Sequence, residues 1–168
     1  MPSKLIQQCS KILLDNRLTI AFAESATAGR LCAEFSLIPD CGKILKGGIV
    51  CYDACVKQDI LGVPESLVEK YTPESAEVTA EMTRCLGNFI SADIYVAITG
   101  LTMPGGSETK EKPVGTMFIN IRINSNPIAA REVFKGSPEE IVLQTVDYVA
   151  ALLINELNKV FNPISVVN

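Results

Sequence analysis

The sequence Leu18-Thr19-Ile20-Ala21-Phe22-Ala23, followed at once by Glu24-Ser25-Ala26-Thr27-Ala28-Gly29, decides the fold. Its first half is a short apolar run, which is typical of a strand buried on both faces of a parallel sheet. Its second half carries small hydroxyl residues of the kind that begin helices. A buried strand that passes directly into a helix is the repeating unit of α/β domains, so this stretch predicts that class.

The rest of the chain continues this alternation of helices and strands. Apolar periodicity predicts helices over residues 3–15, 27–37, 53–61, about 72–90 and about 137–160. It predicts further strands over residues 48–52, 93–99, 114–123 and 130–134, with a turn at 124–127. The pattern predicts one α/β/α sandwich domain over residues 1–168, with a mixed, partly parallel sheet. In such sheets ligands bind beyond the carboxyl ends of the strands.

Composition excludes several classes of protein. The 168 residues are of single-domain size, and the formal net charge is −4 with no basic run, which argues against a nucleic-acid partner. The longest apolar stretches fall far short of the ~20 residues that a membrane span needs. The first residues lack the apolar core of a secretory signal, so we expect a cytoplasmic protein.

Cysteine and histidine usage restricts the chemistry. The six cysteines form no C-x-x-C pair and the chain has no histidine, so we expect neither a metal site nor a metal cofactor. Without histidine, Ser-His and Cys-His nucleophile pairs are also excluded. A hydrolase with a covalent step would then take a carboxylate, a tyrosine or a lysine of lowered pKa as its base.

Ser25 is the first candidate catalytic residue. It follows a predicted buried strand and precedes a predicted helix, so its hydroxyl would lie near the amide donors and positive dipole of a helix N-terminus. Such donors can stabilise an oxyanion or hold a phosphate. The alternative is a plain helix cap, which is a common role for serine and threonine.

A second segment follows the next predicted strand. Gly47 and Gly48 permit close backbone approach, and Lys57 comes five residues after Tyr52. Partial burial would lower the pKa of Lys57 and let it act as a base towards a serine hydroxyl. The alternative is a solvated surface lysine.

A third segment follows the strand at 93–99. It begins Thr99-Gly100-Leu101-Thr102-Met103-Pro104-Gly105-Gly106 and continues to Lys112-Pro113-Val114-Gly115-Thr116. Successive amides of such a loop can turn towards an anion, although a connection without any ligand has the same composition. The loop matches neither a P-loop nor a Rossmann fingerprint.

Together these segments resemble the CinA C-terminal domain family, the nicotinamide mononucleotide deamidases, over nearly the whole chain. Four motifs occur in the family's order and spacing, and they comprise Glu24, Ser25, Thr27 and Gly29; Gly47, Gly48, Tyr52 and Lys57; Thr99, Gly100, Pro104, Gly105 and Gly106; and Lys112 to Thr116. The resemblance implies hydrolysis of nicotinamide mononucleotide to nicotinic acid mononucleotide and ammonia, without a cofactor. A small-molecule nucleotide would be the partner. The apolar terminal helices also suggest a possible homodimer.

The resemblance also implies roles for these residues. Ser25 would attack the amide carbon, Lys57 would take its proton, and Tyr52 would orient the pair or relay the proton. Amides of the Ser25 turn, or the hydroxyl of Thr99, would hold the oxyanion, at ~3–4 kcal/mol of barrier per donor. The positions expected to bind substrate are Glu24, Thr27, Gly29, Gly47, Gly48, Gly100, Gly105, Gly106 and Lys112.

The chain departs from the family pattern at several positions. Ala26 replaces a cysteine, and Arg30, Thr102 and Met103 stand where smaller or apolar residues are usual. The family's arginines after the last strand are absent, since the chain has Ser137, Pro138 and Val142 there. A lost arginine–phosphate fork costs ~1.5–3 kcal/mol per charged hydrogen bond, unless Lys135 or Arg30 compensates. Two alternatives follow: an amidohydrolase of a related amide without phosphate, or a non-catalytic relative that binds a small ligand or a protein.

Overall fold

Helices and strands alternate along the chain in the computed structural model, which describes residues 1–124 and 126–161. The elements are α1 (Lys4–Asn16), β1 (Ile20–Glu24), α2 (Arg30–Ser36), a 3-10 turn (Cys41–Lys43), β2 (Leu45–Val50), α3 (Ala54–Asp59), α4 (Glu65–Tyr71), α5 (Ala76–Leu86), β3 (Ile94–Gly100), β4 (Thr116–Ile123), β5 (Asn126–Val133) and α6 (Pro138–Phe161). Ser125, inside the predicted turn, and residues 162–168 lie outside the described residues.

The five strands form one mixed sheet in the order β2-β1-β3-β4-β5. Strand β1 runs parallel to both of its neighbours, while β4 and β5 extend the sheet in antiparallel fashion. The carboxyl ends of β1, β2 and β3 therefore meet at one edge. The predicted α/β class with a partly parallel sheet is confirmed.

Two apolar cores lie on opposite faces of this sheet. Phe22 and its alternate neighbours pack in one core with side chains of α1, α2 and α6. Ala21 and Ala23 point the other way, into a second core with α4 and α5. Side chains alternate in this way because successive residues of a strand face opposite sides. The apolar faces of the two terminal helices pack together in the first core, which accounts for the pattern from which the sequence suggested a homodimer.

The two edge strands have other bounds than the sequence predicts. β2 spans residues 45–50 rather than 48–52, so Tyr52 lies in the loop after the strand. β5 begins at Asn126 rather than at residue 130, and it includes Pro127. Both strands lie at edges of the sheet and alternate between half-buried and exposed positions, so neither shows the continuous apolar run that marks β1. An edge position also tolerates proline, which has no N–H to donate.

The helical region before β3 also differs from the prediction. The helix predicted over residues 72–90 is shorter, since α5 spans 76–86, and Ser75 caps it by accepting a hydrogen bond from the N–H of Val78. The sequence missed α4, which is only seven residues long and buries Val68 alone. Thr72 ends α4 at a φ of 69°, a conformation that breaks the helical path. None of the helices in the described ranges combines the length and apolar character that a membrane span requires.

Candidate active site

A cavity of about 270 Å³ opens at the carboxyl ends of β1 and β3. Its lining combines residues from all three segments that the sequence indicated, together with one from the α4–α5 connection: Ser25, Ala26, Tyr52, Glu74, Gly100, Leu101, Thr102, Met103, Pro104, Gly105 and Gly106. The structure therefore brings Ser25, Tyr52, Gly100, Gly105 and Gly106 together. The other predicted site residues do not line the cavity.

Glu24, at the end of β1, is buried and turns back onto the start of α2. Its carboxylate accepts hydrogen bonds from the N–H groups of Gly29, Leu31 and Cys32, at 3.1, 3.0 and 2.7 Å. Thr27 donates its hydroxyl hydrogen to the same carboxylate at 2.6 Å. A carboxylate in this place is stabilised by the N–H donors and dipole of the helix. The sequence predicts that Glu24 and Thr27 bind substrate, but in the structure their side chains hydrogen-bond to each other, and Glu24 also binds N–H groups at the start of α2.

The backbone of this turn is tightly constrained. Ala28 and Gly29 both adopt positive φ, at 49° and 90°. A Cβ on Gly29 would also approach the Val50 side chain to 3.1 Å. Gly29 does not line the cavity, and glycine is required there because of the left-handed backbone conformation and the close approach of β2.

Ser25 lies between β1 and α2, at the wall of the cavity. Its N–H donates to the carbonyl oxygen of Ile98 at 3.0 Å, which fixes the turn against β3. Its side chain lines the cavity, and Oγ makes no hydrogen bond within residues 1–124 and 126–161. The following N–H groups, of Ala26 and Thr27, also have no acceptor in that part of the chain. A free hydroxyl thus lies beside two free amide donors, the combination that acyl transfer uses.

Lys57 in α3 is completely buried, so the interpretation as a surface lysine is excluded. Its Nζ donates to the carbonyl oxygen of Tyr52 at 3.3 Å, which places the amine directly behind a residue of the cavity wall. Burial lowers the pKa of this amine, and the charges of Cys51 and Glu74 partly oppose that shift. A lysine of lowered pKa holds its neutral, basic form at lower pH than a solvated one.

Tyr52 lies at the mouth of the cavity with 58% of its surface exposed. The preceding N–H, of Cys51, donates to the carbonyl oxygen of Glu24 at 2.8 Å and so aligns this loop with the Ser25 turn. The tyrosine ring therefore borders the space from which a ligand would enter.

Thr99 is buried on the face of β3 that packs on α5, and it does not line the cavity. Its hydroxyl lies 2.8 Å from that of Thr79, which donates its own hydrogen to the carbonyl oxygen of Ser75 at 2.6 Å. Because a hydroxyl has one hydrogen, Thr99 must be the donor in this pair. Of the two oxyanion donors that the sequence left open, the amides of Ala26 and Thr27 are free and the hydroxyl of Thr99 is engaged.

The glycines fall into two groups. Gly47, at a φ of 124°, lies where the register of β1 and β2 shifts, and a Cβ on Gly48 would come within 3.1 Å of the Phe22 carbonyl oxygen. Neither lines the cavity, so both serve strand pairing. Gly100 and Gly106 do line it, and a Cβ on either would collide with Met117 or Leu101 respectively.

Lys112 anchors the glycine-rich loop rather than lining the cavity. Its Nζ donates to the hydroxyls of Thr72 and Ser107 and to the carbonyl oxygen of Glu74, at 2.7, 2.7 and 2.9 Å. All three ammonium hydrogens are therefore engaged. Burial lowers the pKa of Lys112, and the nearby charge of Glu74 opposes that shift.

Sequence reasoning missed Glu74 as a site residue. The helix predicted over about residues 72–90 would include Glu74, but it lies before α5 and its carboxylate accepts a hydrogen bond from Ser107 at 2.5 Å. Of the cations considered as phosphate ligands, Arg30 pairs with Glu34 at 2.8 Å, and neither Arg30 nor Lys135 lines the cavity. No group of three or more potential metal-ligating side chains occurs within the described ranges.

Comparisons with a family profile and with individual proteins point to the same family. The profile of the CinA C-terminal domain matches residues 2–157. A CinA-like protein of Thermosipho melanesiensis is 38% identical over 125 residues, which cover 73% of this chain and 31% of that protein. A CinA-like protein of Thermotoga neapolitana is 37% identical over 138 residues, covering 82% and 33%. The chain thus spans about a third of the length of these curated relatives.

Solved structures agree in fold over almost their full length. A competence-damaged protein (CinA) superfamily protein from Klebsiella pneumoniae superposes with a TM-score of 0.88 at 26% identity, covering 93% of this chain and 97% of that one. Its counterpart from Escherichia coli gives a TM-score of 0.84 at 30% identity, covering 90% and 88%.

Proposed function

The chain belongs to the CinA C-terminal domain family, and from that premise we propose that it is an amidohydrolase of N-ribosylated nicotinamides. The family resemblance implies nicotinamide mononucleotide as the substrate, hydrolysed to nicotinic acid mononucleotide and ammonia. The observation that carries the proposal is the Ser25 hydroxyl, which lies in the cavity without a hydrogen-bond partner in the described chain, beside the unengaged amides of Ala26 and Thr27.

In the proposed reaction Ser25 Oγ attacks the carboxamide carbon. Lys57, in its neutral form, accepts the serine proton, and Tyr52 orients this pair or relays the proton between them. The developing oxyanion is held by the N–H groups of Ala26 and Thr27. Lys57 then returns the proton to the leaving nitrogen, and ammonia departs from the acyl-enzyme. Water attacks the ester in the second half, which releases the carboxylate product and restores Ser25.

The lowered pKa of Lys57 supports its role as the base. A base is most effective when its pKa lies near the working pH, and burial moves the lysine in that direction. Tyr52 is proposed to close the cavity mouth over the substrate and to orient the Ser25–Lys57 pair. The same proposal includes action in the cytoplasm and possible assembly as a homodimer, both of which stay predictions.

Ammonia release from nicotinamide mononucleotide and from nicotinamide riboside tests the proposal. Wild type should release ammonia from at least one of them, and Ser25→Ala and Lys57→Ala should each lose this activity by a factor of about 10³ or more. Ser36→Ala, at an exposed position of α2, is the matched control and should retain wild-type turnover. Turnover of neither compound by wild type would refute the proposal, and full turnover by Ser25→Ala would remove Ser25 from the mechanism.

A further inference from the structure

Thr102 is a polar residue of the cavity wall that the proposed reaction does not use. It lies two residues after the end of β3, and only 9% of its surface is exposed. The sequence marks this position as a departure from the family pattern, so its hydroxyl is not part of the shared motifs. Its role therefore has to be found from its surroundings in this chain.

The Thr102 hydroxyl has no hydrogen-bond partner within residues 1–124 and 126–161. In that part of the chain, Ser10 Oγ is the one unpartnered side-chain polar atom that is sealed from solvent. The Thr102 oxygen is therefore open to the cavity that this residue lines. A ligand that fills the cavity displaces water from this hydroxyl, and it loses affinity unless it replaces the lost hydrogen bond.

Burial divides the cavity into an inner and an outer part. Ser25 and Ala26 are buried, like Thr102, and form the inner part. Tyr52 and Met103 have more than half of their surfaces exposed and border the mouth. The reacting carboxamide has to reach Ser25, so in the proposed reaction it occupies the inner part. The rest of the substrate then extends outwards past Tyr52 and Met103.

The register of the sheet brings Ser25 and Thr102 to the same place. Glu24 pairs with Ile98 in neighbouring parallel strands, so Ser25 stands beside Thr99. Such strands lie about 4.8 Å apart. Thr102 follows Thr99 by three residues, and its side chain lines the same cavity as that of Ser25. A carboxamide bound at Ser25 is therefore within reach of the Thr102 hydroxyl.

The two ends of a carboxamide need different partners. Its oxygen takes donors, and the free backbone amides of the turn after β1 supply them. Its nitrogen carries two hydrogens and takes acceptors, and a threonine hydroxyl oxygen is an acceptor. The carboxylate of Glu74 is a second acceptor on the wall, but it already binds Ser107, and the ammonium group of Lys112 offsets its charge. The Thr102 oxygen is the unengaged acceptor of the inner part.

We infer that Thr102 accepts a hydrogen bond from the nitrogen of the scissile carboxamide and so makes the site selective for primary amides. The inference rests on the proposed function and adds a specificity-determining residue to it. A methyl ketone in place of the carboxamide keeps the oxygen for the backbone amides but has no N–H to give to Thr102. Such a ligand leaves the hydroxyl unpaired, which is how a site rejects an analogue that lacks one hydrogen-bonding group.

Calorimetric binding to Ser25→Ala, which lacks the proposed nucleophile, measures this selection. The ligands are nicotinamide riboside and nicotinamide mononucleotide, each paired with its 3-acetylpyridine analogue, a methyl ketone. We expect each carboxamide to bind about tenfold more tightly than its ketone. Adding Thr102→Val, which keeps the shape and removes the hydroxyl, should bring each pair within about threefold. Adding Thr102→Ser should keep the preference, and so should Thr145→Val, at a buried threonine of α6.

With Ser25 in place, Thr102→Val should raise KM about tenfold and change kcat less than about threefold, because the hydrogen bond is lost from ground state and transition state alike. Thr102→Ser should restore the wild-type KM. A purely structural role of Thr102 would not produce a preference between carboxamide and ketone.

Equal binding of carboxamide and ketone would overturn the inference, and this result needs no substitution at Thr102. A preference that Thr102→Val leaves intact would also overturn it, as would a failure of all four compounds to bind. Ammonia release by wild type separates the inference from the proposed function. A carboxamide preference without ammonia release would refute hydrolysis and leave amide recognition standing. Ammonia release by Thr102→Val at the wild-type KM would refute the inference and leave hydrolysis standing.

Discussion

Glu24 Oε1 accepts a hydrogen bond from the backbone N–H of Cys32 at 2.7 Å, across eight residues of the chain. The other oxygen of this buried carboxylate binds two further N–H groups and the Thr27 hydroxyl. Glu24 therefore holds the β1–α2 turn in the shape that presents Ser25, because the N–H groups of α2 that it engages fix the helix against the end of the strand.

Replacing Glu24 with glutamine tests this role. The amide group of the introduced glutamine would direct its own N–H groups at backbone donors, so we expect Glu24→Gln to lower the free energy of unfolding by about 2–4 kcal/mol. Urea denaturation measures the change. Glu69→Gln, at an exposed position of α4, removes the same charge and should stay within about 0.5 kcal/mol of wild type. A Glu24→Gln protein as stable as this control would show that the carboxylate is not required for the turn.

Lys112 should control the order of the glycine-rich loop. Lys112→Met removes two hydrogen bonds that join this loop to Thr72 and Glu74, and a third to Ser107 within the loop. We expect faster amide exchange over residues 101–111 and an increase in KM of about tenfold, with a smaller change in kcat, because the cavity wall loses its anchor. Exchange mass spectrometry and steady-state kinetics measure the two effects.

The control for this prediction is Lys110→Met, at an exposed position of the same loop. It should leave both the exchange pattern and KM unchanged. If Lys112→Met changed kcat alone and left exchange as in wild type, the anchoring role would be wrong.

The sequence predicted the central strands, and it indicated the three segments that line the cavity, because these depend on local signals. β1 and β3 are apolar runs, and Ser25 and Gly100 lie directly at or after their ends. The edge strands β2 and β5 were displaced because one face of each meets solvent, which weakens the hydrophobic pattern.

The roles of individual side chains were harder to predict. The sequence shows a helix beginning after Ser25, but not that Glu24 reaches back to engage its N–H groups. It likewise shows Glu74 near the start of a helix, but not that the α4–α5 connection carries it to the cavity. Both depend on contacts between segments whose relative placement follows only from the packed fold.

Replacing Thr99 tests whether its hydroxyl or the backbone amides of Ala26 and Thr27 hold the oxyanion. Its hydroxyl hydrogen is engaged by Thr79, so we expect Thr99→Val to lower kcat less than tenfold. Loss of a true oxyanion donor lowers kcat by about 10²–10³. Stopped-time ammonia assays at saturating substrate give the comparison.

Thr145→Val provides a matched control for stability in the Thr99 experiment. Thr145 is another buried threonine, and it donates to the Ile141 carbonyl oxygen at 2.7 Å. Both variants should lose about 1 kcal/mol of unfolding free energy. A loss of kcat in the hundreds for Thr99→Val, with folding intact, would assign the oxyanion contact to Thr99.

Ser10 offers a stabilising substitution in the core. Its hydroxyl is fully buried in α1 and has no hydrogen-bond partner within the described residues. Ser10→Ala removes an unsatisfied polar group and favours the helix, so we expect a gain of about 1 kcal/mol in unfolding free energy. Ser36→Ala, at an exposed helix position, should give a smaller change in urea denaturation. Destabilisation by Ser10→Ala would contradict the structure at this position.

Burial of Lys57 should lower the free energy of unfolding, and the size of this destabilisation should depend on pH. Burial lowers the pKa of Lys57 from its ordinary value of 10.5, so between the two values the unfolded chain binds more protons than the folded one. The free energy of unfolding of wild type therefore rises with pH across that window, because the cost of burying the charged amine disappears. Lys57→Met, which keeps the volume and removes the charge, should be more stable than wild type by about 1–2 kcal/mol near neutral pH.

This stability difference between Lys57→Met and wild type should shrink as the pH rises towards about 10.5, since wild-type Lys57 then loses its proton in both states. Urea denaturation at several pH values measures the difference, with Lys110→Met as the control that should show no such dependence. Lys57→Met should also release no ammonia, because methionine cannot accept the Ser25 proton. A difference that stayed constant with pH would show that Lys57 is not held with a lowered pKa, and its role as the base would lose its physical ground.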